Sequence, residues 1–256
     1  MSKLNAEDQF LDLSDYGRSF GRFLAKSLQE TKFTPIHVTL LFGICGLLSI
    51  ASMLSGYYIL AGFLLILKSG IDAADGELAR LKKTPSYSGR YLDSIFDFIL
   101  NFLFLSTITY LTNSSILLLF VAFFGLQLQG TLYNYYYVIL RNRSIGGDST
   151  SKVFEYKTPK ALPGESQKSV TILFKIYLLF YGIFDKIIYF FDANAYKVKK
   201  FPNWFMTVMS LYGLGFQLLI MALLLATNQI IYILPLFAVM TLPILLCIGV
   251  RKMFIK

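Results

Sequence analysis

Six apolar runs dominate this chain: Pro35–Leu54, Tyr57–Ile71, Tyr91–Leu111, Ser115–Leu140, Trp204–Ala226 and Ile230–Val250. A helix needs about 20 apolar residues to cross a bilayer, and in hydrocarbon its backbone polar groups must be satisfied within the segment. The second run reaches that length only by continuing through the polar stretch Asp72–Leu81, so its charged end must leave the hydrocarbon. The connections Ser55-Gly56, Thr112-Asn113-Ser114 and Thr227-Asn228-Gln229 contain no charged residue. Apart from Lys68, every Lys and Arg falls at the two ends of the chain, in Arg80–Arg90 or in Arg141–Asn203. The positive-inside rule therefore predicts cytoplasmic termini, two cytoplasmic charged connections and six spans. The expected fold class is an all-α integral membrane protein, in a bacterial inner membrane or an organelle membrane.

Composition excludes the other classes. Charged residues make up 15% of the chain, mean hydropathy is +0.59 and 55% of residues are hydrophobic, which argues against a soluble enzyme, a disordered chain or a coiled coil. The net charge of +9 is dispersed among the segments flanking the spans, so nucleic acid is not an expected partner. Cys45 and Cys247 sit inside apolar runs and read as small core residues.

Two further segments read as helices lying along the cytoplasmic interface. Phe10, Leu13, Phe20, Phe23, Leu24 and Leu28 recur at helical spacing with Arg18, Arg22 and Lys26 among them, which describes an amphipathic interfacial helix rather than a signal peptide. Residues 1–33 are taken as this segment and residues 34–256 as the six-span domain, with a cytoplasmic connection at 141–203. Within that connection Val170–Phe191 is apolar, but Lys175, Asp185 and Lys186 interrupt it. Were it to cross, Arg251 and Lys252 would become external, contrary to the charge rule. The loop Ser144–Ser169, with Gly146-Gly147-Asp148-Ser149-Thr150, is expected to be flexible and lacks the strand-to-helix context of a phosphate loop.

Chemistry concentrates in residues 72–97, where five carboxylates occur within 26 residues. At about 100° per residue, Asp72, Asp75, Gly76 and Ala79 share one helix face, and Gly89, Asp93 and Asp97 form a stripe on the next. Hard oxygen donors without His or Cys suit Mg²⁺ or Mn²⁺. Two such ions would offset the repulsion and serve phosphoryl transfer. Small residues would let a bulky ligand approach the backbone, and Arg80 could hold a phosphate.

The spacing D-x2-D-G-x2-A-R-x8-G-x3-D-x3-D, carried by Asp72, Asp75, Gly76, Ala79, Arg80, Gly89, Asp93 and Asp97, resembles the signature of the CDP-alcohol phosphotransferase family at every fixed position. The resemblance implies a membrane enzyme, usually a homodimer, that joins an alcohol acceptor to a CDP-linked donor and releases CMP. It implies that Asp72, Asp75 and Asp93 hold the metals with Asp97 sharing a site, and that Asp97 is the general base. Gly76, Ala79 and Gly89 would shape the CDP pocket, with Asp72 and Arg80 touching the nucleotide or its diphosphate. Phosphatidyl transfer from CDP-diacylglycerol to a polar alcohol is the expected reaction; transfer of phosphocholine or phosphoethanolamine from a CDP-alcohol to a lipid hydroxyl is the alternative. Asp75–Arg80 also resembles members that make inositol-phosphate diesters, although those often carry a basic residue where this chain has Phe98.

Smaller features have two readings each. Lys68 either neutralises Asp72 or snorkels to the interface, or else it lines the site and meets a substrate phosphate. Arg90, Arg141 and Arg143 either form a basic pocket for an anionic acceptor or lie beside lipid headgroups. Glu77 points off the aspartate stripe and reads as a solvated or paired surface charge. His37 opens the first span and reads as an interfacial or packing residue, with a catalytic role as the alternative. The polar run from Gln127 to Tyr137 must face protein or water, lining either the cavity or a subunit interface. A cation or metabolite transporter would also use an acidic cluster, but such sites lie near the midplane between repeated halves. Here the carboxylates gather at one face, and Ser115–Val250 holds no second copy of the motif.

Overall fold

Four turns are built the same way. Gly56, Lys83, Asn113 and Asn228 have positive φ angles, and the N–H of the following residue closes back to the carbonyl five residues earlier: Tyr57 to Ser52, Thr84 to Ala79, Ser114 to Thr109 and Gln229 to Leu224. This left-handed cap satisfies the last carbonyls of a helix and reverses the chain, and it explains how helices can be joined by charge-free turns of a few residues. The structure, a computed structural model describing residues 4, 6–144 and 150–255, contains helices and no strands among those residues.

The long helices follow the apolar runs: α1 (Arg18–Leu28), α2 (Pro35–Leu54), α3 (Tyr58–Leu81), α4 (Tyr87–Leu111), α5 (Ile116–Ser144) and α6 (Gln167–Asp192). The chain ends in α7 (Asn203–Met209), α8 (Leu214–Ala226), α9 (Ile233–Val239) and α10 (Ile244–Phe254). Among the described residues, α2, α4, residues 116–143 of α5 and the stretch Ile230–Phe254 are long and apolar enough to cross a membrane. The bent pair α7 and α8, meeting at 53°, makes a fifth candidate. α3 and α6 are interrupted by charged residues and are not among them.

Both C-terminal runs expected as single helices are broken. A 3-10 turn at Ser210–Tyr212 ends before Gly213, which has extended dihedrals. The last run stops at Val239 and restarts after Pro243, whose missing N–H cannot continue the ladder. The N-terminal helix is shorter than its hydrophobic periodicity predicts: Phe10 and Leu13 precede it. The Asp12 carboxylate accepts hydrogen bonds from the Ser14 backbone and hydroxyl, a local alternative that competes with helix.

α3 is the centre of the bundle, packed between α1, α2 and α8. Close approach requires a small residue: a Cβ at Gly62 would lie 2.7 Å from the Ala222 carbonyl oxygen of α8. Polar side chains join the other helices. Gln129 donates to the Phe237 carbonyl at 2.9 Å and to the Thr241 hydroxyl at 3.0 Å, and Gln217 donates to the Leu126 carbonyl at 3.1 Å. Such bonds hold helices together where apolar burial gives no preference for protein over lipid. His37 closes a capping box with Thr34 at the start of α2. Cys45 donates to the Leu64 carbonyl and, like Cys247, is a free thiol.

Candidate active site

α3 ends and α4 begins at one place, so the two halves of the motif face each other. The α4 N-cap is Ser86, whose hydroxyl accepts from the Gly89 N–H at 2.8 Å. Glu165, from the segment before α6, accepts from the Ser86 hydroxyl and from the backbone N–H groups of Tyr87 and Ser88. Burial alone would raise the Glu165 pKa, but these donors outweigh it and hold the carboxyl below its ordinary value. Its negative charge also sits favourably at a helix N-terminus. At the other side of the turn, the Lys82 ammonium donates to the Thr31 and Phe33 carbonyls, both at 2.7 Å, tying the end of α3 to the chain after α1.

Asp72, Asp75 and Asp93 offer carboxylate oxygens that all lie within 4.8 Å of one another. Asp75 accepts from the Thr39 hydroxyl of α2 at 2.8 Å, and one Asp93 oxygen is buried without a hydrogen-bond partner. Three converging carboxylates with an orphaned oxygen fit a hard divalent cation. Asp97 stands outside this trio. It is paired with the Lys68 ammonium, which also reaches Asp72 at 3.2 Å and lies 4.5 Å from the Phe42 ring centroid. Lys68 is 1% exposed, so it neutralises carboxylates and does not snorkel.

Two cavities meet at Asp72 and Asp93. The larger, about 630 Å³, is lined by Gly76, Ala79, Arg80, Gly89, Arg90 and Arg141 among others. The smaller, about 360 Å³, takes in Asp97 and the polar face of α5. Arg80 is paired with Glu77 at 3.0 Å. Glu77 also meets Arg22 at 3.6 Å, so of the two expectations it is the paired charge, but it is buried between α1 and α3 and not at the surface.

The basic trio separates. Arg90 forms a two-pronged pair with Glu155 at 2.5 and 2.7 Å and lies 4.4 Å from the Tyr91 ring centroid; it neither floats among headgroups nor stands free. Arg141 lines the larger cavity with its Nε buried and unpartnered. Arg143 donates to the Tyr196 and Lys199 carbonyls at 2.5 and 3.1 Å and tethers the α6–α7 connection instead of lining a cavity.

The run on α5 divides in the same way. Gln127, Tyr133, Asn134 and Tyr137 line the smaller cavity. Tyr135 and Tyr136 donate to Asp192, which pairs with Arg251 in a buried network.

Sequence reasoning did not find Thr39, Glu155, Glu165 or Tyr181, whose hydroxyl donates to the Ser94 carbonyl at 3.0 Å. The segment after residue 149, expected to be flexible, is held to α4 by Glu155 and Glu165, while Gly146-Gly147-Asp148-Ser149 lies outside the described residues. Phe98 stacks on Phe180 with centroids 4.5 Å apart, giving the aromatic side chain a packing role between α4 and α6.

The sequence pattern of one family, CDP-alcohol phosphatidyltransferase, matches residues 32–249. The chain belongs to this family. It is therefore a membrane-protein enzyme of the CDP-alcohol phosphotransferase class, a family that joins CDP-linked donors to alcohol acceptors. Over 148 residues, 57% of the chain, it is 33% identical to a Thermococcus kodakarensis protein named bifunctional IPC transferase and DIPP synthase, of which that stretch is 33%. A protein of the same name from Aquifex aeolicus is 38% identical over 79 residues, 30% of this chain and 18% of that protein. The matched stretches thus cover a third or less of these relatives.

Proposed function

We propose that this enzyme transfers a phosphatidyl group from CDP-diacylglycerol to a polar alcohol, with Mg²⁺ or Mn²⁺ held by Asp72, Asp75 and Asp93. The observation that carries the reading is the convergence of these three carboxylates at the seam of two cavities, with Asp97 on the wall of one of them alone. The larger cavity suits the CDP moiety: Gly76, Ala79 and Gly89 leave room along two helices, and Arg80 and Arg141 offer charge to a diphosphate. The acceptor hydroxyl enters from the smaller cavity.

Asp97 is the proposed general base. Its carboxylate takes the hydroxyl proton as the acceptor oxygen forms a bond to the phosphorus bearing the diacylglycerol. The bond from that phosphorus to the bridging oxygen breaks, and CMP leaves with the bridging oxygen. Lys68 holds Asp97 in position, and an Asp97 outside the trio is a better base than a carboxylate bound to a divalent metal ion would be. A fourth-ligand role for Asp97 would require Lys68 to give way. The bound divalent ions would stabilise negative charge on the diphosphate.

The same reading places six spans in the membrane, with α3 as the second and its charged end emerging at the cytoplasmic face. α1 and α6 lie along that face, both termini are cytoplasmic, and the enzyme works as a homodimer. The alternative reaction, transfer of a phosphoalcohol from a CDP-alcohol donor to a lipid hydroxyl, would use the same metal site. The activities named for the relatives, IPC transferase and DIPP synthase, are further reactions to test.

The deciding experiment is CMP release by the purified protein in detergent with Mg²⁺ or Mn²⁺. Asp97→Asn is expected to slow turnover by about 10²–10⁴-fold, the usual contribution of a positioned base, and Asp93→Asn to abolish it. Undiminished turnover in both variants would overturn the assignment.

A further inference from the structure

The two cavities differ in charge. Among the described residues, the larger is lined by the cations Arg80 and Arg90, paired with Glu77 and Glu155, and by Lys83 and Arg141, whereas the smaller has one, Arg18, and it is paired with Asp15. Beyond the motif carboxylates, Asp12 and Asp185 line the smaller cavity alone, and Asp15 borders both.

Part of its wall is the segment before α1, wedged under the α7–α8 bend. Leu13 N–H donates to the Ser210 hydroxyl at 3.0 Å, and Tyr133 donates to Asp12 at 2.6 Å. A Cβ on Gly215 would fall 1.8 Å from the Ser14 carbonyl oxygen, so only glycine leaves the strap this close.

On the opposite wall, Gln127 and Thr131 lie one turn apart on α5 and are 4% and 7% exposed. The Gln127 amide nitrogen and the Thr131 hydroxyl are buried there without hydrogen-bond partners. Buried polar groups of this kind ordinarily have partners, and leaving them unmet is costly.

A ligand must answer both sets of groups. A phosphate would face the carboxylates of Asp12, Asp15 and Asp185 with one guanidinium already paired. An ammonium would satisfy those carboxylates but offers no lone pair to the Gln127 amide. Hydroxyl groups donate to carboxylates and accept from the amide.

We propose that the smaller cavity is the acceptor subsite and that it takes the uncharged, polyhydroxylated body of the acceptor alcohol, held by Gln127 and Thr131 on one side and by the residue 12–18 strap on the other. This rests on the transferase reading with Asp97 as base, because Asp97 opens into this cavity. The strap and the α5 face are then specificity-determining elements.

The test is CMP release from CDP-diacylglycerol with Mg²⁺ or Mn²⁺ against three acceptor groups: inositol and glycerol; inositol 1-phosphate and glycerol 3-phosphate; and ethanolamine, choline and serine. Turnover is expected with an unphosphorylated polyol. Gln127→Leu and the near-isosteric Thr131→Val are each expected to raise its KM about fivefold, the worth of one hydrogen bond, with KM for the donor unchanged. An unchanged polyol KM in both variants would overturn the placement. Turnover confined to phosphorylated or amine acceptors, or found only with CDP-choline or CDP-ethanolamine and diacylglycerol, would overturn the acceptor class and leave the transferase reading standing. Silence with every acceptor and both donor types would refute the transferase reading, and the subsite with it.

Discussion

Lys68→Met tests the electrostatics of the site while leaving all four motif aspartates in the chain. The Lys68 ammonium is 1% exposed and serves two carboxylates, Asp97 and, at 3.2 Å, Asp72. Methionine fills nearly the same volume with a flexible apolar chain, so the cavity term is small. What is lost is a counter-charge in a buried site, and breaking such a pair costs about 3–5 kcal/mol. At about 2–4 °C per kcal/mol for a chain of this size, Tm in EDTA is expected to fall by roughly 6–20 °C. Divalent cations should then recover more stability in the variant than in the parent, because the site has one positive charge fewer competing with the ion. Linkage predicts about 2.7 kcal/mol of stabilisation when the ion is present at 100 times its Kd. Thermal unfolding in detergent, with EDTA and across a Mg²⁺ titration, reads both effects. An unchanged Tm in EDTA would refute the buried pairing, and equal Mg²⁺ stabilisation of the two proteins would refute the coupling between Lys68 and the cation site.

Glu155→Ala removes a carboxylate that grips Arg90 with two bonds and accepts from the Tyr91 hydroxyl at 2.8 Å. Both members of the pair are largely buried, so the segment before α6 should lose about 3–5 kcal/mol of docking and be cut by proteases far faster; unchanged limited proteolysis would count against it. Glu165 has a depressed pKa in the folded protein, so its cap stabilises fully above the ordinary glutamate value of about 4.3 and weakens as pH falls through the folded value beneath it. The difference in Tm between the parent and Glu165→Gln should therefore be present at neutral pH and shrink in acid, and a pH-independent difference would contradict the sign.

Much of the helical framework and the clustering of Asp72, Asp75 and Asp93 was legible in the sequence because both rest on local helix geometry. α2 spans the run predicted for it, and the three charge-free turns are closed by glycine or asparagine in the left-handed conformation. Motif residues three and four apart fall on one face by helical geometry alone. The unread part is long-range. Lys68 meets Asp97 across 29 residues, Arg251 meets Asp192 across 59 and Arg90 meets Glu155 across 65, and no periodicity announces such partners. The breaks near Gly213 and Pro243 were hidden for a different reason: hydropathy is blind to a bend within an apolar run. Phe10 and Leu13 failed as helix residues because a short Asp12–Ser14 hydrogen-bonded turn outcompeted a pattern that was only apolar.

The motif's eight-residue gap becomes physical once the turn is in view. Residues 81–88 finish α3 with a left-handed Lys83, close it with the Thr84 to Ala79 bond and start α4 on the Ser86 cap. A shorter gap would leave no room for a C-cap followed by an N-cap, and a longer one would let the helix ends drift apart. Lys82 and Glu165 then fasten the turn from opposite sides. The carboxylates therefore sit on two helix ends whose separation is set by capping rather than by packing deeper in the membrane. That arrangement leaves the two cavities free to differ in charge on either side of Asp72 and Asp93, which is what the proposed reaction between an anionic diphosphate and a neutral hydroxyl would use.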